Sequence, residues 1–344
     1  MHAKGTWGDC YRYWPRDAAG TLSDFDSDQK SVKQRELTMK FNSDKTTFGR
    51  HETFQLRYGW LTKGYQAVKK DPKVFESDKA TVALGVGKNM VLSIRYWMRA
   101  IGMLEDKSNT LTDLANYIFD EKNGIDPYLE DEATVWLIHW KLASNPTLAT
   151  TWYWFFNEFH KPYFTGQELQ SSFVDFVKKN VKNKVSVSTL KSDAAVLTRM
   201  YVRSMGNTRT PMEEALDSPL ALLGLITQSA GGRSFQSLPN TRSDLALGIL
   251  GYAVIELMKS VGKNIIPIED LMYSRDNTVA PGAVFRLTES GLIAKLELIV
   301  DYLPGVMEIN ETAGIHQIYI KKKINPTAYL DKHYRHNKVK GLAA

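Results

Sequence analysis

DKATVALGVGKNMVLSIRYWMRAIGM, residues 78–103, is the stretch that decides the fold of the N-terminal half. Residues 78–84 suit a short helix, Gly85-Val86-Gly87 a tight turn, and Lys88 to about Met103 a longer helix. Short helix, glycine turn and longer helix are the outline of a helix-turn-helix. The faces of the longer helix separate. Met90, Ile94, Trp97, Met98 and Ile101 fall on one apolar stripe, while Lys88, Leu92, Arg95 and Arg99 recur at intervals of three or four on another. A basic stripe opposite a core stripe suits a helix laid against phosphates, although an ordinary solvated face also carries Lys and Arg at such spacing.

Upstream, TFQLRYGWLTKGYQAVKK (53–70) places Phe54, Tyr58, Leu61, Tyr65 and Val68 close to a 3.6-residue period, and Asp71-Pro72 ends the helix this predicts. Arg50-His51-Glu52 stands just before it. Imidazole, carboxylate and guanidinium side by side could position a water or a metal for phosphodiester chemistry. The plainer alternative puts Glu52 in the first helical turn, where a carboxylate favours the macrodipole, with Arg50 paired to it. Residues 1–44 hold aromatics, Pro15, Gly20 and the acids Asp24, Asp26 and Asp28 in no clear period, and are expected to form an irregular arm. Cys10 is the one cysteine, which excludes an intrachain disulfide framework and points to a reducing compartment. The polar start and the lack of any window near 18 uninterrupted apolar residues predict a cytoplasmic protein with no membrane contact.

Downstream, 111–119 and 127–143 read as helices, the second with Asp126 as N-cap and Pro127 at its first position. Asp126, Glu130, Asp131 and Glu132, with His139 about two turns further on, offer oxygens for a hard cation such as Mg²⁺. Acids crowding a helix N-terminus are the competing explanation. TWYWFFNEFH (151–160) suits a helix with its rings in the core better than a base-stacking surface. Helical patterns continue over 167–180 and 189–204, and Lys178, Lys179, Lys182, Lys184 and Lys191 form a second basic concentration. Ala230-Gly231-Gly232-Arg233 marks a loop. From 244 on, helices at 245–260, 267–273 and 288–303, then strand-like runs at 306–309 and 315–320, predict a winged helix. Its third helix presents Glu289, Glu297 and Asp301 with Lys295 as the main base, a face that would repel phosphate and suits protein docking, whereas Lys321-Lys322-Lys323 at the end of the hairpin would touch a DNA backbone.

The 344 residues contain 44 Lys and Arg against 38 Asp and Glu, a net charge of +6. Residues 321–344 hold seven of the bases and a single acid, so the other 320 residues carry 37 charges of each sign. The excess is one C-terminal segment, which reads as a nucleic-acid arm or as a solvated terminus. The rest is neutral overall.

No P-loop, GxSxG, HExxH or dinucleotide fingerprint occurs. Two segments are nevertheless specific. RHETFQLRYGWL (50–61) and LGVGKNM (84–90) with Ile94-Arg95-Tyr96-Trp97, supported by DPYLED (126–131) and SPLALL (218–223), resemble the SspB-type family of bacterial DNA phosphorothioation clusters, long described as a domain of unknown function. The resemblance spans roughly 45–320. It implies a protein that binds double-stranded DNA and nicks one strand, with Mg²⁺ as cofactor, so that ATPase and sulfurtransferase-like subunits can install sulfur in the backbone. His51, Glu52, Arg57, Lys88, Asn89 and Arg95 are the family-pattern positions.

The expected architecture is mainly α: an arm (1–44), a helix-turn-helix region (45–110), a helical middle (111–243), a winged-helix-like module with a small β-hairpin (244–323) and a basic tail (324–344). His51, Glu52 and Asp131 are the expected catalytic residues; Glu52, Asp126, Glu130 and Asp131 the expected metal ligands; Arg50, Arg57, Lys88, Asn89, Arg95, Arg99, Lys321, Lys322 and Lys323 the expected DNA contacts. The alternative is a non-catalytic DNA-binding scaffold that recruits the sulfur-transfer enzymes.

Overall fold

A computed structural model describes residues 39–203, 218–229, 231–312 and 315–341. Nearly all of the expected N-terminal arm, Cys10 included, lies outside these. The described residues are mainly helical, with two small antiparallel sheets.

Helix α1 spans Trp60–Lys70 and ends at Asp71 before Pro72, as the sequence predicts, but it starts at Trp60 rather than at 53. Glu52 and Thr53 have φ of 50° and 66°, and Gly59 has φ 75°. Left-handed residues cannot propagate a right-handed helix, so 50–59 is a turn and an extended lead-in. A short 3₁₀ turn (Val74–Glu76) precedes α2 (Ala80–Leu84), which closes on left-handed Gly85; α3 follows at Lys88–Ala100. Ile94, Trp97, Met98 and Ile101 are fully buried, which is the apolar stripe expected of α3.

α4 (Asp113–Phe119) is capped by Thr112, and α5 (Glu132–Ala143) by Asp131. α5 therefore starts five residues later than the Asp126-Pro127 signal suggests. The intervening residues turn instead, with Leu129 at φ 58°. All eight residues of α6 (Thr150–Asn157) are buried, so its aromatic run is core and not a stacking surface. A capping box of Thr165 and Glu168 opens α7 (Gly166–Asn180), and Ser186 caps α8 (Val187–Tyr201). Strands β1 (Tyr163–Thr165), β2 (Thr227–Gln228) and β3 (Ser234–Gln236) form a sheet in the order β1-β3-β2, so Gly231 and Gly232 lie at the tip of a hairpin.

The last part runs α9 (Leu247–Val261), β4 (Ile265–Pro267), α10 (Ile268–Met272), α11 (Pro281–Val284), α12 (Glu289–Tyr302), β5 (Met307–Thr312) and β6 (Ile315–Ile320). β4 and α11 carry no clear sequence signal. β6 pairs with both β4 and β5, with Ile318 opposite Ile266 on one side and Ile309 on the other. The basic C-terminal segment is not a loose tail: Thr327–Gly341 is helix α13, with Tyr329, Leu330 and Tyr334 buried. A Cβ on Gly251 of α9 would meet the Tyr329 ring at 2.3 Å, so only glycine admits this approach.

Candidate nucleic-acid interface

The basic stripe of α3 faces outward. Lys88 and Asn89 are exposed at its first turn, Leu92 is 40% exposed, and Arg95 and Arg99 are half-buried. Both arginines converge on one side chain. Arg95 Nε and Arg99 Nη2 donate to Asn109 Oδ1 at 3.0 and 2.6 Å, and Asn109 Nδ2 donates to Glu76 Oε1 at 3.1 Å. Burial, and then the Arg95 charge, lower the Arg99 pKa from its usual value. A groove of about 670 Å³ lies between α1 and α2, and its lining includes Lys63, Gln66, Lys70 and Lys79, with Asp71 as its one acid. No sequence motif marks these lysines beyond the helical spacing of Lys63, Gln66 and Lys70 on α1.

Arg57 packs over the Phe54 and Trp60 rings at 5.9 and 5.4 Å, and Arg50 is exposed. Lys178, Lys179, Lys182, Lys184 and Lys191, at the α7–α8 junction, are all exposed; Lys182 pairs with Asp44 at 3.0 Å. Lys321 is held by Glu308 at 2.7 Å, whereas Lys322 and Lys323 face solvent.

His51 is 1% exposed. Its Nδ1 accepts from the Thr53 amide at 3.1 Å, so Nε2 carries the proton and donates to Asp193 Oδ1 at 2.9 Å. Asp193 also accepts from Thr151 Oγ1 and the Gly49 amide, each at 3.0 Å. The imidazole stacks on Trp97 at 5.9 Å and meets Trp152 edge-on. Both ring nitrogens and the carboxylate are satisfied inside the core, so this motif fastens the lead-in of α1 to α3, α6 and α8. A general base needs access to a water or substrate, which this imidazole lacks. Glu52 is half-buried in the left-handed turn and not in a helical first turn.

The second acidic group is likewise occupied. Asp126 is 5% exposed and accepts from the Glu130 and Asp131 amides at 2.8 and 3.1 Å. Asp131 caps α5 through Oδ1 and meets His333 Nε2 through Oδ2 at 3.3 Å. Glu130 and Glu132 are exposed. His139 points into the core: its Nε2 donates to the Val284 carbonyl at 2.9 Å and its Nδ1 accepts from Tyr201 Oη at 2.8 Å. Among the described residues, no three His, Cys, Asp or Glu side chains converge to hold a metal ion; of the expected ligands, Asp126 and Asp131 are engaged with backbone amides, Glu52 is half-buried and Glu130 is exposed. Another buried group gave no sequence signal. Arg286 is fully buried without an acid, donating to the carbonyls of Phe155 (2.8 Å), Phe156 (3.3 Å) and Phe159 (3.0 Å) at the end of α6.

On α12, Glu289, Glu297 and Asp301 are exposed, and Leu298 is 54% exposed between them. Lys295 turns inward, its Nζ donating to the Leu245 carbonyl at 3.0 Å, so the outward face carries acids without their expected counter-charge. No helix is long and apolar enough to cross a membrane among the described residues.

A family model described as a protein of unknown function (DUF4007) matches residues 48–334. Two solved structures, one of SspB and one of magnesium ion-bound SspB, are each 30% identical to the chain and cover 87% of it and 90% of their own length, with TM-scores of 0.74 and 0.75. A comparison with curated protein sequences finds no match.

Proposed function

The chain belongs to the DUF4007 family, and from that membership we propose that it is a DNA-binding protein of a bacterial phosphorothioation system that nicks one strand with the help of Mg²⁺. The observation that carries the DNA reading is the cationic face of α3, where Lys88, Arg95 and Arg99 line up; the lysines of the α1–α2 groove add to it. On this reading α2 and α3 act as a helix-turn-helix whose second helix lies against the duplex. The module from α9 to β6 is a winged helix: its strand order β4-β6-β5, with a hairpin after the third principal helix, supports that reading. Its acidic α12 face suits a partner protein and not phosphate.

The nicking activity rests on the family likeness and on the magnesium-bound relative. The Asp126 and Asp131 carboxylates already hold backbone amides, whereas Glu130 is exposed. A second reading, a non-catalytic scaffold, is favoured by one observation: His51, Asp126 and Asp131 are all engaged in holding the fold. Incubation of supercoiled plasmid with the protein and Mg²⁺, and in parallel with EDTA, separates the two. Metal-dependent open-circular product supports the nickase. Retained DNA binding with no open-circular product under any divalent ion supports the scaffold, and negligible DNA affinity at low salt defeats both.

A further inference from the structure

Asn109 follows α3 in a left-handed conformation (φ 55°), is 1% exposed, and holds two like charges on a single neutral oxygen. Resting on the DNA-binding reading above, we infer that Arg95 and Arg99 form a seat for one backbone phosphate, with Asn109 as the positioning residue that aims both guanidiniums without placing a carboxylate against either.

A brace serving stability alone would use a carboxylate, because an ionised acceptor opposes the guanidinium charge and can take two parallel N–H bonds at once, which one amide oxygen cannot. The pair is instead kept hungry for an anion. Among the described residues neither guanidinium has a carboxylate within 4.0 Å. Glu76 lies behind the Asn109 amide and takes its N–H; Asp106 and Glu76 both act on Arg99 only through their more distant charges. Arg95 commits Nε alone, so both of its Nη groups, the fork that matches two phosphate oxygens, have no partner among the described residues. Arg99 Nε is buried and likewise unpartnered. A lone carboxylate would satisfy one fork. A phosphodiester backbone also accounts for Lys88, which continues the same stripe two turns before Arg95.

The test moves one negative charge without changing the total. In the double variant Asn109→Asp with Glu76→Gln, the carboxylate leaves position 76 and arrives between the two guanidiniums, and aspartate tolerates the left-handed backbone. The expected result is a thermal midpoint at or above wild type, with affinity for a short DNA duplex lowered about tenfold at low salt and the slope of log K against log salt reduced by about one. Wild-type affinity and slope in the folded double variant would overturn the seat. If that variant does not fold, Glu76→Gln alone decides: tighter duplex binding supports the seat, and unchanged binding overturns it. Absence of duplex binding by the wild-type chain would instead overturn the DNA reading itself, and the seat with it.

Discussion

At the scale of single residues, the histidines show how chemistry-bearing side chains are absorbed by the core. His51 and His139 both stand in sequence contexts that suggest catalysis or metal binding, and both have every ring nitrogen hydrogen-bonded inside. The partner of His51, Asp193, lies 142 residues away, a pairing that no local pattern contains. Only the apolar neighbours of His139 on α5 hinted at its burial. Burial, the dominant cause, with Arg242 and Arg286 nearby, holds the His139 pKa down at about 3 against an ordinary 6.5, while the Val284 carbonyl opposes the shift. Between those values the unfolded chain binds a proton that the native chain refuses. The stability this group contributes is thus complete above about pH 6.5 and is lost as pH falls toward 3, at up to about 1.4 kcal/mol per pH unit. Urea unfolding across that range should show this slope in the wild type and a flatter one in His139→Gln. An identical slope in both would assign the acid sensitivity to other groups.

Among elements, legibility followed the strength of the local signal. The faces of α3 could be read directly, since a 3.6-residue period separates Trp97 and Ile94 from Lys88 and Arg95. The start of α1 could not: Phe54 and Tyr58 fit the helical period, but Glu52, Thr53 and Gly59 adopt left-handed backbone that the period does not encode. α13 was hidden by its charge. Its seven-base neighbourhood suggested an arm, yet Tyr329, Leu330 and Tyr334 form a buried seam against α9, with Tyr334 Oη and Thr134 Oγ1 bonded at 2.7 Å and Tyr117 Oη donating to Asp331 at 2.8 Å. Truncating a buried aromatic ring costs about 3–5 kcal/mol. Tyr334→Ala should therefore lower global stability by that order in chemical denaturation, while leaving the salt dependence of DNA binding as in the wild type. A variant that keeps wild-type stability but loses DNA affinity would restore the nucleic-acid arm.

Over the whole molecule, the net charge of +6 misleads about where a polyanion would bind, because most of the excess sits on a segment whose helix packs against the core. On the DNA-binding reading proposed above, affinity would come from local arrangement: the α3 stripe, the groove lysines and the exposed Lys322 and Lys323. The α12 face has the opposite sign, and with Lys295 turned inward it cannot lie on the same phosphate backbone. A protein that binds DNA with one basic face and a partner with an acidic one should lose the two functions separately. Reversing Lys88 and Arg95 to Glu should weaken duplex binding by at least about tenfold for each site and flatten its salt slope, with partner recruitment intact. Reversing Glu297 and Asp301 to Lys should leave the slope of wild type and abolish co-purification with the sulfur-transfer subunits. Fluorescence anisotropy on a DNA duplex and pull-down of the co-expressed subunits measure the two sides. Loss of both functions in either variant, with folding intact, would mean that DNA and partner share one surface, and the division of labour argued from α3 and α12 would fall.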